Sequence, residues 1–236
     1  MYRLFYTPTW FNGWDLIFEA ISLLIVLLIA GYSWKIYRLS ADNKFKYFSL
    51  AFILLAIGFT FKLITTGVLY YSALQKIADS VLQPIIQNKV TYADLFYRSG
   101  FFLQMVSMLG GWLLIFFVSQ KSRARLTRFY EVSQIVLFLY LIVLISIVSN
   151  FQYFVFYLTC MVILGMVVLN YFKNYLNTDR NWNAFLVMDS FLLILISQLF
   201  FVFVFLWEEL YILGEVFLLI GFLLLLFTYR RITKAA

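Results

Sequence analysis

Seven long apolar runs, at 16–37, 47–70, 99–119, 130–149, 152–171, 184–206 and 211–229, take up most of the chain and leave little else for it to fold with. A helix of ~20 residues rises ~1.5 Å per residue and matches the ~30 Å hydrocarbon core of a bilayer. Hydrocarbon offers a backbone amide no hydrogen-bond partner, so such a run must close its bonds internally, as helix. The chain is 64% hydrophobic and only 12% charged, about half the charge of an ordinary soluble domain. The expected fold is therefore all-α: a polytopic membrane protein with a single seven-transmembrane-helix bundle over residues 1–236. The first run has only Arg3 as a basic residue before it and no small-residue cleavage site after it, so it reads as a retained span and not a signal peptide.

Basic residues set the expected orientation. Lys35, Arg38, Lys44 and Lys46 follow the first span, Lys121, Arg123, Arg125 and Arg128 the third, Lys173 and Arg180 the fifth, and Arg230, Arg231 and Lys234 the last. These are most of the 18 lysines and arginines, and the positive-inside bias puts them in the cytoplasm with the N-terminus outside. The net charge of +7 is thus a topology signal with some attraction to anionic lipid, and gives no reason to expect nucleic acid. Connections are short except for residues 71–98. There Leu74, Ile77, Ala78, Val81, Leu82 and Ile85 recur at helical spacing, which predicts an amphipathic segment over about 72–97 on the outer membrane surface, kinked or ended by Pro84.

Charges inside the spans carry the functional signal, because each costs about 2.5–3.5 kcal/mol at the centre of an inserting helix. Glu19 and Glu215 each lie just below the outer face, on spans that enter from outside. Lys62 lies eight residues short of Tyr70, ~12 Å below the same face, and its stem can snorkel outward. With the first and last spans adjacent in a closed ring, Glu19, Lys62 and Glu215 are expected to meet in a polar cluster. Thr60, Thr65 and Thr66 could add hydrogen bonds. Asp15, one turn before Glu19, and Glu208 and Glu209 make that mouth acidic. The cluster reads either as a clamp fixing helix register or as a site for a small polar ligand, a lipid headgroup or an ion. Asp189, near the inner end of its span, is expected to pair with Arg180. Gln104, Gln134 and Gln198 are expected to bond between helices.

What the chain lacks excludes several chemistries. Histidine is absent and Cys160 is the single cysteine, so no zinc, haem or iron–sulfur site of the usual kind can be built, and no cofactor is expected. The last span has no lysine for a retinal Schiff base. A lone Asp in a span, with no paired-carboxylate motif, argues against an enzyme.

Residues 42–59 and 179–196 show a weak echo, each an Asp-containing inner loop leading into a span. If the echo marks a repeat, the bundle is two parallel triplets joined by a linker helix. The leading expectation is a non-enzymatic sensor or accessory subunit in the cell membrane. It would recognise its ligand at the outer cluster and meet a cytoplasmic partner or anionic lipid through Lys121, Arg123, Arg125 and Arg128. The chain carries no output domain of its own after Tyr229, so that partner would take the signal. The alternatives are a small-solute or proton-coupled carrier and a scaffold subunit of a larger complex.

Overall fold

The computed structural model describes residues 8–11, 13–70, 76, 89–120 and 153–235. The span expected at 130–149, Gln134, the basic residues Lys121, Arg123, Arg125 and Arg128, and most of 72–97 lie outside them. Among the described residues the fold is all helical. A 3-10 turn, Thr9–Phe11, leads into α1 (Trp14–Ser40), α2 (Asn43–Tyr70), α3 (Lys89–Ser119), α4 (Tyr153–Asn177), α5 (Trp182–Val202) and α6 (Leu210–Ala235). All six are long and apolar enough to cross a membrane.

The expected span limits shift where hydropathy and helix formation part company. The stretch expected on the surface up to residue 97 instead belongs, from Lys89, to α3, which is 31 residues long. Backbone hydrogen bonding runs on through residues too polar for a hydropathy window to include. Conversely, the run expected to 206 stops being helix at Val202: Phe203 N–H is shared between the carbonyls of Leu199 and Phe200, which tightens the chain into a turn. Between α1 and α2, Ala41 takes the left-handed conformation at φ 53 and Asp42 accepts from Lys44 N–H at 3.0 Å. The pair reverses the chain in two residues.

Helix neighbours follow chain order, and α6 closes the ring against α1. Glycines make the closest approaches. A Cβ on Gly111 of α3 would stand 2.9 Å from the Ala51 carbonyl and 2.8 Å from Leu55; one on Gly221 of α6 would stand 3.0 Å from the Ser190 carbonyl and 2.7 Å from Ile194. The third helix of each triplet thus presses a glycine onto residues one turn apart on the second. Around these contacts Phe52, Phe59, Trp112 and Phe222 form an aromatic core, with Trp112 and Phe222 stacked at 6.2 Å.

Directions are set by the contacts. Most neighbours run antiparallel, but α3 and α4, like α6 and α1, are parallel: Phe101, at the start of the membrane-spanning part of α3, packs on Tyr153 at the start of α4, and Asn170 Nδ2 donates to Ser119 Oγ at 3.0 Å toward their ends. The triplets α1–α3 and α4–α6 therefore share one orientation. The outer surface of the ring is apolar, with Leu24, Leu28, Ile53, Ile57, Val162, Leu169, Leu223 and Phe227 exposed, as lipid contact requires. Exposed Trp10, Trp14 and Trp207 mark the end where α1 begins, and Trp34 and Trp182 the other. Trp14 and Trp34 are separated by ~30 Å along α1, so the two tryptophan levels match the two interfaces of a bilayer. Lys35, Arg38, Lys44, Lys46, Lys173, Arg180, Arg230 and Arg231 are all exposed at the second end.

Candidate buried charge cluster

The heptad-like spacing of Asp15, Glu19 and Ser22 puts all three on the inward stripe of α1, where they are buried. On α2, Lys62 and Thr66 are one turn apart on the face opposite; on α6, Tyr211 and Glu215 have the same relation. The ring brings these three stripes together. Lys62 Nζ donates to Glu215 Oε1 at 2.8 Å, and Glu19 Oε1 stands at the same 2.8 Å without aligned hydrogen-bond geometry. Lys62 is 4% exposed, and Glu19 and Glu215 are 0% exposed.

Aromatic rings complete the surroundings of the ammonium. Its nitrogen lies 5.6 Å from the centroid of Tyr211 and 6.0 Å from that of Phe201, within range of cation–π attraction. Phe11, from the 3-10 turn, packs edge-on against Tyr211 and contacts Phe18, so the turn before α1 lays an aromatic cover beside the cluster. Asp15 stands at the start of α1, buried, with Oδ1 accepting from the N–H groups of Gly13 and Leu16 at 2.9 Å. Two backbone donors and the positive end of the helix stabilise its charge. It lies within electrostatic range of both Lys62 and Glu215.

The oxygens of this site exceed its donors. Asp15 Oδ2, both oxygens of Glu19, Glu215 Oε2, Ser22 Oγ and Thr66 Oγ1 are buried and accept or donate no hydrogen bond. Thr60 and Thr65 do not serve the cluster, since each returns its hydroxyl to a carbonyl of its own helix, at Ala56 and Phe61.

Beside Lys62 lies a cavity of ≈ 20 Å³, room for a single water. Gln104 of α3, Tyr157 of α4 and Gln198 of α5 line it together with Lys62, so it sits between the two triplets. Neither glutamine makes the interhelical bond expected of it. Gln104 Nε2 reaches the sulfur of Met108 on its own helix at 4.0 Å, and Gln198 Nε2 donates to its neighbour Ser197 at 3.1 Å. Their presence at the cavity follows from which helix faces converge, and an isolated glutamine in an apolar run gives no sign of that.

At the opposite end the structure does not bring Asp189 and Arg180 together. Asp189 is half-buried two turns into α5, whereas Arg180 is exposed in the turn before it at φ 60, its N–H bonded back to Tyr175. Asp179 before it is left-handed as well, at φ 49, and among the described residues no ion pair joins Arg180 to Asp189. Glu208 and Glu209 lie in the turn between α5 and α6, at the cluster end. Cys160 is buried and free.

The arrangement can hold charge and exchange protons; its cavity is far below the several hundred Å³ of a small-molecule site. No family model, curated protein or solved structure matches this chain.

Proposed function

We propose that this integral membrane protein is a non-enzymatic sensor or accessory subunit whose recognition centre is the Lys62 cluster. Its N-terminus faces outside and its C-terminus the cytoplasm, where the basic end meets a protein partner or anionic lipid. The observation that carries this reading is the excess of acid around one buried lysine. A clamp between two helices needs one carboxylate for one ammonium; the second buried carboxylate ties in a third helix, but it adds a desolvation cost that a single ammonium does not cancel. Here Lys62 has Glu19 and Glu215 at contact distance and Asp15 nearby. The expected seventh span at 130–149 is supported by the parallel run of α3 and α4, the first ending at the basic end and the second starting at the cluster end. Exposed lysines and arginines at one end support the orientation.

A second reading, a proton-coupled carrier, is favoured by one specific observation. The two triplets share an orientation and enclose a small, mostly apolar cavity with Lys62, Gln104 and Gln198 in its wall, at the kind of interface where parallel-repeat carriers bind substrate.

Proteoliposomes carrying an internal pH dye separate the two. On the sensor reading, a pH step on the cluster side changes tryptophan fluorescence through Trp112, which lines the cavity. The change is lost in Lys62→Met and in Trp112→Phe, and no proton flux appears above that of empty vesicles. Flux that Lys62→Met abolishes would replace this reading with the carrier. A wild type whose fluorescence does not respond would end the sensor reading.

A further inference from the structure

We infer that the ligand of the cluster is a proton, held between Glu19 and Glu215. This deepens the reading of the cluster as a recognition centre.

The argument is one of charge and partners. Each glutamate places one oxygen 2.8 Å from the same ammonium, so those two oxygens are no farther apart than twice that distance. Both side chains are fully buried, where effective screening is weak and like charges at this range repel strongly. One ammonium neutralises one carboxylate. The other must be neutralised by something else, and two carboxylates sharing a buried site resolve this by keeping a proton between them.

Among the described residues, the groups facing Lys62 include no other cation. On α1 they are Asp15 and Glu19, on α6 Tyr211 and Glu215, and on α4 Tyr157; α3 and α5 present the uncharged Gln104, Gln198 and Phe201. Asp15 differs from the two glutamates: its Oδ1 accepts from two backbone N–H groups, and no ion pair places it against the Lys62 ammonium among the described residues. A metal ion is a poorer occupant, since among the described residues no three acidic side chains converge as metal ligands. A proton needs no such cage: it sits on one oxygen and can be donated to another. Among the described residues Glu19 Oε2 and Glu215 Oε2 are both buried with no hydrogen-bond partner, as are the hydroxyls of Ser22 and Thr66, one turn from Glu19 and Lys62. Each glutamate thus has a buried oxygen on which the proton can sit. Proton binding is the only chemical step: it forms an O–H bond on one glutamate, moves the site by one positive charge, and leaves Lys62 as ammonium.

Infrared difference spectroscopy on the protein in lipid nanodiscs tests this, with glutamate labelled by 13C at its side-chain carboxyl. The wild type at neutral pH should show a protonated-carboxyl band that carries the glutamate isotope shift and moves again in D2O. Glu19→Gln and Glu215→Gln should each abolish it, because the remaining glutamate then pairs with Lys62 alone and ionises. Asp15→Asn should keep it. Lys62→Met, which removes the cation, should leave both glutamates neutral and show roughly twice the wild-type intensity. Absence of the band in the wild type, whether sodium or a bulky organic cation is the sole salt, overturns the proposal without requiring any variant to fold. Persistence of the band in either Gln variant also overturns it. If the band is absent while the fluorescence response still depends on Lys62, the recognition centre stands and only the seat of the proton between the two glutamates is discarded.

Discussion

Where α1 begins, helices α1, α2 and α6 meet through Glu19, Lys62 and Glu215. About 20 Å farther along the axis the same three helices meet through Ser49 Oγ, which donates to the Ala30 carbonyl at 2.9 Å, and through the stacked rings of Phe48 and Tyr229, 5.1 Å apart. The first junction is long-ranged and ionic, so its energy depends on how many protons it carries. The second is short-ranged and neutral, so it depends on shape. The bundle is thus asymmetric along its axis: one end can respond to its environment while the other keeps the helices in register.

The comparison is most exposed to failure at Lys62. Lys62→Met strips the cation from two buried carboxylates, and removing one partner of a buried pair costs about 3–5 kcal/mol. That cost should be large in mildly alkaline buffer and much smaller in mildly acidic buffer. The native variant binds protons that its unfolded chain releases, so its stability rises as pH falls. Unfolding in mixed micelles at the two pH values measures the difference, and equal losses at both would contradict an ionic junction. At the shape-dependent contacts, Gly111→Leu and Gly221→Leu should each lose about 1–3 kcal/mol by forcing a side chain against a neighbouring helix backbone. The same micelle assay should find that loss independent of pH; a pH dependence would erase the distinction. Ser49→Ala should cost about 0.6 kcal/mol, the usual worth of one interhelical hydrogen bond in a membrane, read as a small shift in thermal midpoint. Asp189→Asn, at a half-buried carboxylate that no ion pair joins to Arg180, should stay within about 0.5 kcal/mol of wild type by denaturant titration.

How much of this was readable beforehand depended on cost. A charge in hydrocarbon is expensive, so its helix depth can be counted and its partners sought at the same depth. Glu19, Lys62 and Glu215 could be placed together from residue spacing and ring closure alone. Cheap residues gave no comparable handle. Tyr211, Phe201 and Tyr157 around the ammonium are indistinguishable from the many other aromatics of this chain, and Gln104 and Gln198 turned to partners on their own helices. Asp189 and Arg180 looked matched because both lie at the inner end of α5, but an exposed side chain in a left-handed turn can stay in water, so nothing in the sequence forces the pairing. Similarly, α3 begins at Lys89 among polar residues, where hydropathy falls and helix geometry continues.

The turn before α1 has a consequence for how the cluster is reached. Gly13 holds φ 95, a conformation side chains rarely adopt, and donates its N–H to Asp15, while Phe11 just upstream rests on Tyr211. The aromatic cover is therefore tethered through one pivot whose setting is fixed by a carboxylate that shares the electrostatics of the site beneath. A residue with a Cβ at position 13 would shift the cover, and solvent would then reach Lys62 at a rate set by the pivot instead of by the helices.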